Sequence, residues 1–269
     1  MPYQLTWLTT VLKNAGLKVA PQPGWMNRGH GNMGTVKGVM CHHTVGPLKG
    51  NMPSLKVLIS GRPGLSGPLA QLGLGRDGTY YIVAAGRCYH AGQGKWKKKS
   101  TGEIITTGNS SFIGIEAENT GIGNSNDPRY DPWPAVQLDA YRRGVAAILK
   151  HIGQTEEMCC GHKEWRPKID PHTIDMGDFR KEVAAIMAGT APPPQPIPRT
   201  DTKGRPTLRR ASSTNPKSLV EEVQRKVGFT GDDVDGEFGP LTEAKVRQFQ
   251  RDNGLVPDGI VGPKTWEKI

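Results

Sequence analysis

A mixed α/β fold followed by a small all-helical domain is what the amino-acid sequence predicts, and three observations carry the prediction. Short apolar runs read as strands alternate with longer runs at helical spacing up to about residue 188. A segment rich in proline, serine and threonine then interrupts the pattern. Beyond it, an Asp-Gly-x-x-Gly-Pro-x-Thr motif occurs twice, as DGEFGPLT at 235–242 and DGIVGPKT at 258–265.

The elements follow in order. LTWLTTVLKNAGL spaces Leu5, Leu8, Val11, Leu12 and Ala15 for a helix that Gly16 stops. VKGVMCHHT reads as a buried strand ending in His42 and His43, and AQLGLGRDGTYYIVAAG as a hairpin turning at Asp77-Gly78. SFIGIEAENT is a strand in which Phe112, Ile113 and Ile115 surround Glu116. PAVQLDAYRRGVAAILKHIG is a helix with Val136, Leu138, Tyr141, Val145, Ile148 and Leu149 on its apolar face, and DMGDFRKEVAAIMAG another, with Asp175 or Asp178 as its cap. Together these predict a central mixed β-sheet flanked by helices over residues 1–188. Residues 189–216 hold few large apolar side chains and read as a basic linker. Residues 217–269 read as three short helices whose two half-repeats share one core.

Composition narrows the function. The chain has 269 residues and a net charge of +10, unevenly spread. Residues 1–188 carry 22 basic against 14 acidic side chains, residues 189–218 carry 6 against 1, and residues 219–269 carry 7 against 10. A basic body suits a polyanionic partner, whether nucleic acid, anionic membrane or an acid-bearing cell wall. No nucleic-acid-binding motif accompanies the charge, so nucleic acid is not expected as a partner. No run approaches the roughly 18 apolar residues of a membrane span. MPYQLTWLTTVLKNAGLKV has no apolar stretch with a small-residue cleavage site, so no signal peptide is expected. Cys41, Cys88, Cys159 and Cys160 show no metal-type spacing and are expected as free thiols in a reducing compartment.

The densest chemistry is GHKEWRPKIDPH, residues 161–172, with His162, Lys168, Asp170 and His172 in twelve residues. A catalytic zinc takes three protein ligands from histidine or carboxylate and leaves one position for water. His42, at a strand end, with His162 and Asp170 satisfies that count. Neighbouring strand side chains face opposite ways, so His43 does not easily join the same site. On the residues alone, His172 and Cys160 rival Asp170, and Glu118, two positions along the same strand face, rivals Glu116.

In this order, HHT, RDG, HAG, FIGIEAEN and GHKEWRPKIDP resemble the zinc N-acetylmuramoyl-L-alanine amidases, a superfamily that includes many phage endolysins and the peptidoglycan recognition proteins. The likeness spans about residues 35–186. It implies a central mixed sheet with helices on its faces, and one zinc ion held by His42, His162 and Asp170. It also implies catalytic roles for Glu116, as proton carrier, and Lys168, as stabiliser of the oxyanion. The implied reaction is hydrolysis, by zinc-activated water, of the amide between N-acetylmuramic acid and L-alanine. The chain departs from many relatives in carrying Gln71 where they have a histidine. Gln71, His90 and Trp96 are expected along the substrate groove, Trp96 within a basic loop at 92–110.

Residues 217–269 resemble a three-helix peptidoglycan-binding domain, in which Phe238 and Trp266 are candidate contacts to the wall. The whole resembles a phage-type endolysin: a monomer held in the host cytoplasm until lysis, then acting on peptidoglycan. The alternatives are a non-catalytic peptidoglycan recognition protein of the same superfamily, and a glycosidase using Glu116 with Glu118. The glycosidase fits poorly, since two glutamates on one strand face do not flank a sugar from opposite sides.

Overall fold

The computed structural model describes residues 2–191, 201, 203–210, 212, 215–255 and 259–269. The chain divides into two compact units, Met1–Leu48 with Met52–Pro194 in the first and Lys49–Asn51 with Gln195–Ile269 in the second. Much of the expected linker, including 192–200, and Asp258 of the second repeat lie outside the described residues.

The first unit is built on a six-stranded mixed sheet. Its strands are β1 (Val19–Pro21), β2 (Gly38–His43), β3 (Leu72–Leu74), β4 (Tyr80–Ile82), β5 (Phe112–Ala117) and β6 (Cys159–Gly161). They lie in the order β1-β4-β3-β5-β2-β6. Only the β3–β4 hairpin is antiparallel; every other neighbour pair is parallel. The parallel centre explains why β2 and β5 read as almost unbroken apolar runs: both faces are covered. β1 and β6 escape sequence reading because three residues are too few to show a period.

Three helices pack on this sheet: α1 (Leu8–Asn14), α2 (Ala135–His151) and α3 (Met176–Met187). Leu5, Leu8 and Leu12 are buried along α1 and the short 3₁₀ turn before it. In α2 the buried residues are Gln137, Ala140, Tyr141, Gly144, Val145, Ala146, Ile148 and Leu149. Val136, expected on the apolar face, is one position before the first of them and points to solvent. Asp175 caps α3, its carboxylate accepting from the Asp178 amide at 2.8 Å. All four cysteines are free and buried. No helix among the described residues is long and apolar enough to cross a membrane.

Tyr141 ties helix to sheet. Its hydroxyl lies 2.9 Å from the His42 amide and 3.0 and 3.1 Å from the carbonyls of His42 and Ile115. The ends of β2 and β5 are thereby held to α2 from a fully buried position.

The second unit contains α4 (Lys217–Lys226), α5 (Pro240–Asp252) and α6 (Pro263–Trp266). Its core is Leu208, Val220, Val223, Phe238, Val246, Val261 and Trp266. The two repeats share one device, a buried glutamine on a helix that clamps the following loop. Gln224 donates to Glu237 O and Thr242 Oγ1 while accepting from the Gly236 amide. Gln250 donates to Ile260 O and Thr265 Oγ1 while accepting from the Gly259 amide. Gly236 and Gly259 both have φ near +74°, which a side chain would strain.

Two sequence expectations change here. Phe238 and Trp266 are buried, and Trp266, 1% exposed, donates its indole N–H to Pro206 O. Rings enclosed in a core have no free face for a polymer. Part of the stretch read as linker also belongs to this core: Leu208 is fully buried and pairs with Val261. A lone leucine among polar residues carries no periodicity to reveal that.

Tyr141→Phe is expected to cost about 1–2 kcal/mol, read as a lower urea midpoint with an unchanged slope. Trp266→Ala is expected to cost about 3–5 kcal/mol. That is comparable to all a domain of this size can hold, so limited proteolysis should digest the second unit and spare the first.

Candidate active site

The site forms at the carboxyl ends of the parallel strands, where open α/β sheets place their ligands. His42 and Glu116 are register partners on adjacent strands and so share one face. His162 follows directly on β6, at the start of a single helical turn, His162–Trp165. Asp170 returns to it after eight residues, with the Lys163 amide donating to the Asp170 carbonyl at 2.7 Å.

Three donor atoms converge. His42 Nδ1 lies 3.1 Å from His162 Nδ1 and 3.0 Å from Asp170 Oδ2, and His162 Nδ1 lies 2.9 Å from the same oxygen. The far sides of the rings decide which nitrogens hold protons. His162 Nε2 is 3.1 Å from Ala91 O, a carbonyl that only accepts, so Nε2 carries the hydrogen and Nδ1 is bare. His42 Nε2 is 3.1 Å from His90 Nδ1, and His90 Nε2 is 3.1 Å from Phe112 O. That carbonyl fixes the hydrogen on His90 Nε2, so His42 donates from Nε2 and its Nδ1 is bare as well.

Two bare nitrogens and a carboxylate facing one another repel unless a cation lies among them. Among the described residues this is the one group of three or more His, Cys, Asp or Glu able to hold a metal ion, its ligand atoms within 4.8 Å of one another. The donor set suits zinc chemistry. Electrostatics agree. Burial pushes His42 down and keeps it neutral.

Glu116 stands apart from the three. Its Oε1 is 3.9 Å from His42 Nδ1, and its Oε2 is buried without a partner. Burial raises its pKa well above the ordinary value, and the charges of Asp170 and Glu118 add to the effect. Glu118 is employed otherwise: it accepts from Thr44 Oγ1, Ser54 Oγ and the Ser54 amide, joining two walls of the cleft. Neither rival ligand joins the cluster. His172 gives its amide to His43 Nδ1, and Cys160 is buried with its thiol against Gly161 O.

A cleft of about 650 Å³ opens over these groups, and Lys168 lines it from an exposed position. Arg62 and Arg166 line it too, and sequence reading singled out neither. Arg166 sits inside the quoted 161–172 motif, so its position was available; nothing local marks Arg62. Arg166 packs over Gly92, where a Cβ would come within 2.3 Å of its guanidinium.

Of the three expected groove residues, Gln71 and Trp96 are elsewhere and His90 lines the cleft. Gln71 is fully buried, bonded to Gly86 O and the Gly114 amide. Trp96 lies in a small hairpin, Trp96–Lys97 against Ile104–Ile105, with its ring inward and the Arg180 guanidinium 5.7 Å from its centre. His90 borders the cleft, but both its ring nitrogens are occupied, leaving none for a substrate.

The raised pKa of Glu116 has a sign that can be tested. The folded chain keeps a proton that the unfolded chain releases, so stability falls as pH rises above about 4.5. Metal-free Glu116→Gln is therefore expected to be more stable than the wild type at pH 8 and no more stable at pH 4. Urea unfolding at the two pH values checks this.

Residues 32–173 match the family described as N-acetylmuramoyl-L-alanine amidase, and residues 218–269 the one described as "Putative peptidoglycan binding domain". The chain is 53% identical over 53 residues to an uncharacterized protein in the bpoA1 3' region of Kitasatospora aureofaciens, covering 20% of this chain and 45% of that one. It is 56% identical over 55 residues to the zinc D-Ala-D-Ala carboxypeptidase of Streptomyces albus G, covering 19% and 22%. The chain thus spans less than half the length of these curated relatives. The N-acetylmuramyl-L-alanine amidase AmiD from E. coli, solved with its substrate, overlays with a TM-score of 0.44 at 16% identity over 88% of each chain. With more than half of its length matched, the chain belongs to the N-acetylmuramoyl-L-alanine amidase family.

Proposed function

We propose that this protein hydrolyses the amide between N-acetylmuramic acid and L-alanine of peptidoglycan, using one zinc ion held by His42, His162 and Asp170. The observation that carries the reading is the meeting of two bare imidazole nitrogens and a carboxylate within about 3 Å, beside a buried, partnerless glutamate oxygen. When bound, zinc supplies Lewis-acid polarisation of the scissile carbonyl and acidifies a water.

The protein's own groups do the rest. Glu116, biased by burial towards proton uptake, takes a proton from the attacking water and hands it to the departing alanine amine. Lys168, at the cleft wall, offsets the negative charge that develops on the carbonyl oxygen. Glu118 holds the cleft walls together through Thr44 and Ser54.

In this reading residues 1–188 carry catalysis and 217–269, with Leu208 completing their core, hold the wall. A net charge of +10 favours an acid-bearing wall as the partner. The role is that of a phage-type endolysin, a monomer kept in the host cytoplasm until the membrane fails. The pairing of an amidase-family unit with a peptidoglycan-binding-family unit supports it.

Purified peptidoglycan incubated with the protein is expected to gain free N-terminal L-alanine on intact stem peptides, seen by mass spectrometry. A chelator should stop the reaction and zinc restore it. New reducing sugar ends that survive chelation would point to a glycosidase instead, and bound zinc without cleavage to a recognition protein. Glu116→Gln is expected to lower kcat by about 10²–10⁴-fold, and Lys168→Met by about 10²–10³-fold. Zinc content should be unchanged in both.

A further inference from the structure

We propose that the dipeptide His90–Ala91, clamped by Asn109, is the template that orients both histidine ligands for the metal. It rests on the zinc reading above and adds positioning residues to it. The side chain of His90 and the main chain of Ala91 receive the outer N–H of His42 and His162 respectively, each at 3.1 Å. The dipeptide is held in turn, because Asn109 Oδ1 accepts from the His90 amide at 2.9 Å and the Ala91 amide at 2.8 Å. Phe112 O fixes the His90 ring from its far side. Gly114 leaves room for it: a Cβ there would stand 2.8 Å from His90 Cγ.

The template matters because a competing arrangement lies close at hand. Asp170 Oδ2, 3.0 Å from His42 Nδ1, is a strong acceptor. Without His90, moving the His42 hydrogen to Nδ1 would satisfy Asp170 and put an N–H where the ion must bind. His90 removes that alternative by accepting the hydrogen at Nε2. Partners in this outer layer change metal affinity by about 10–100-fold when removed.

The test uses the full chain as wild type, His90→Phe, His90→Gln and Asn109→Ala. Folding is checked by near-UV circular dichroism, and zinc affinity by competition with a chromophoric chelator. Long-range ¹H–¹⁵N spectra of the metal-free proteins at pH 8 read which ring nitrogen of His42 and His162 bears hydrogen. In the wild type both should be bare at Nδ1. His90→Phe should move the His42 hydrogen to Nδ1 and weaken zinc by about 10–100-fold. His90→Gln, which keeps an acceptor for His42, should recover part of the loss, and Asn109→Ala should weaken zinc in the same direction.

A folded His90→Phe with His42 still bare at Nδ1 and zinc affinity within about twofold of wild type would overturn the template. If His90→Phe does not fold, unchanged tautomers and affinity in Asn109→Ala would overturn it. A wild type bare at both Nδ1 atoms that binds no zinc would defeat the metal reading while still supporting the template.

Discussion

The mutual repulsion of three lone-pair donors, forced together at about 3 Å, is the constraint around which the first unit is arranged. Two bare imidazole nitrogens and a carboxylate do not gather unaided in a buried place. What holds them is the parallel sheet, which delivers His42 and His162 at the ends of β2 and β6. Tyr141 locks the first of these strand ends to α2. The polar layer beyond, Ala91, His90 and Phe112, uses carbonyl oxygens as its final acceptors. Carbonyls have no second protonation state, so the arrangement propagates inward from groups that cannot change.

The same principle separates the two glutamates. Glu116 lies near the end of β5 and Glu118 just past it, yet Glu118 accepts from three donors while Glu116 has one oxygen with none. A carboxylate surrounded by donors is a structural tie. One left partnerless in a dry setting is reactive towards protons.

Much of this was legible in the sequence, for physical reasons particular to each residue. His42 and Glu116 lay in apolar runs that only a buried strand explains, and it was the likeness to the zinc amidases, not spacing, that favoured Asp170 over His172 and Cys160. The capping of α3 by Asp175 and the hairpin at Asp77-Gly78 follow from local backbone preferences. Gln71, Trp96, Phe238 and Trp266 misled because a polar or aromatic side chain does not announce its burial. Gln71 is enclosed because backbone groups of Gly86 and Gly114 satisfy its amide, a match made across 43 residues of chain. Arg62 reaches the cleft through tertiary packing that no local pattern encodes.

The distance along the chain between the ligands has a consequence of its own. His42 and His162 are 120 residues apart and meet when the neighbouring strands β2 and β6 pair. A chain in which these two strands have not yet paired therefore offers no preformed cluster of donors. Capture of the ion then rewards only the finished fold, by linkage.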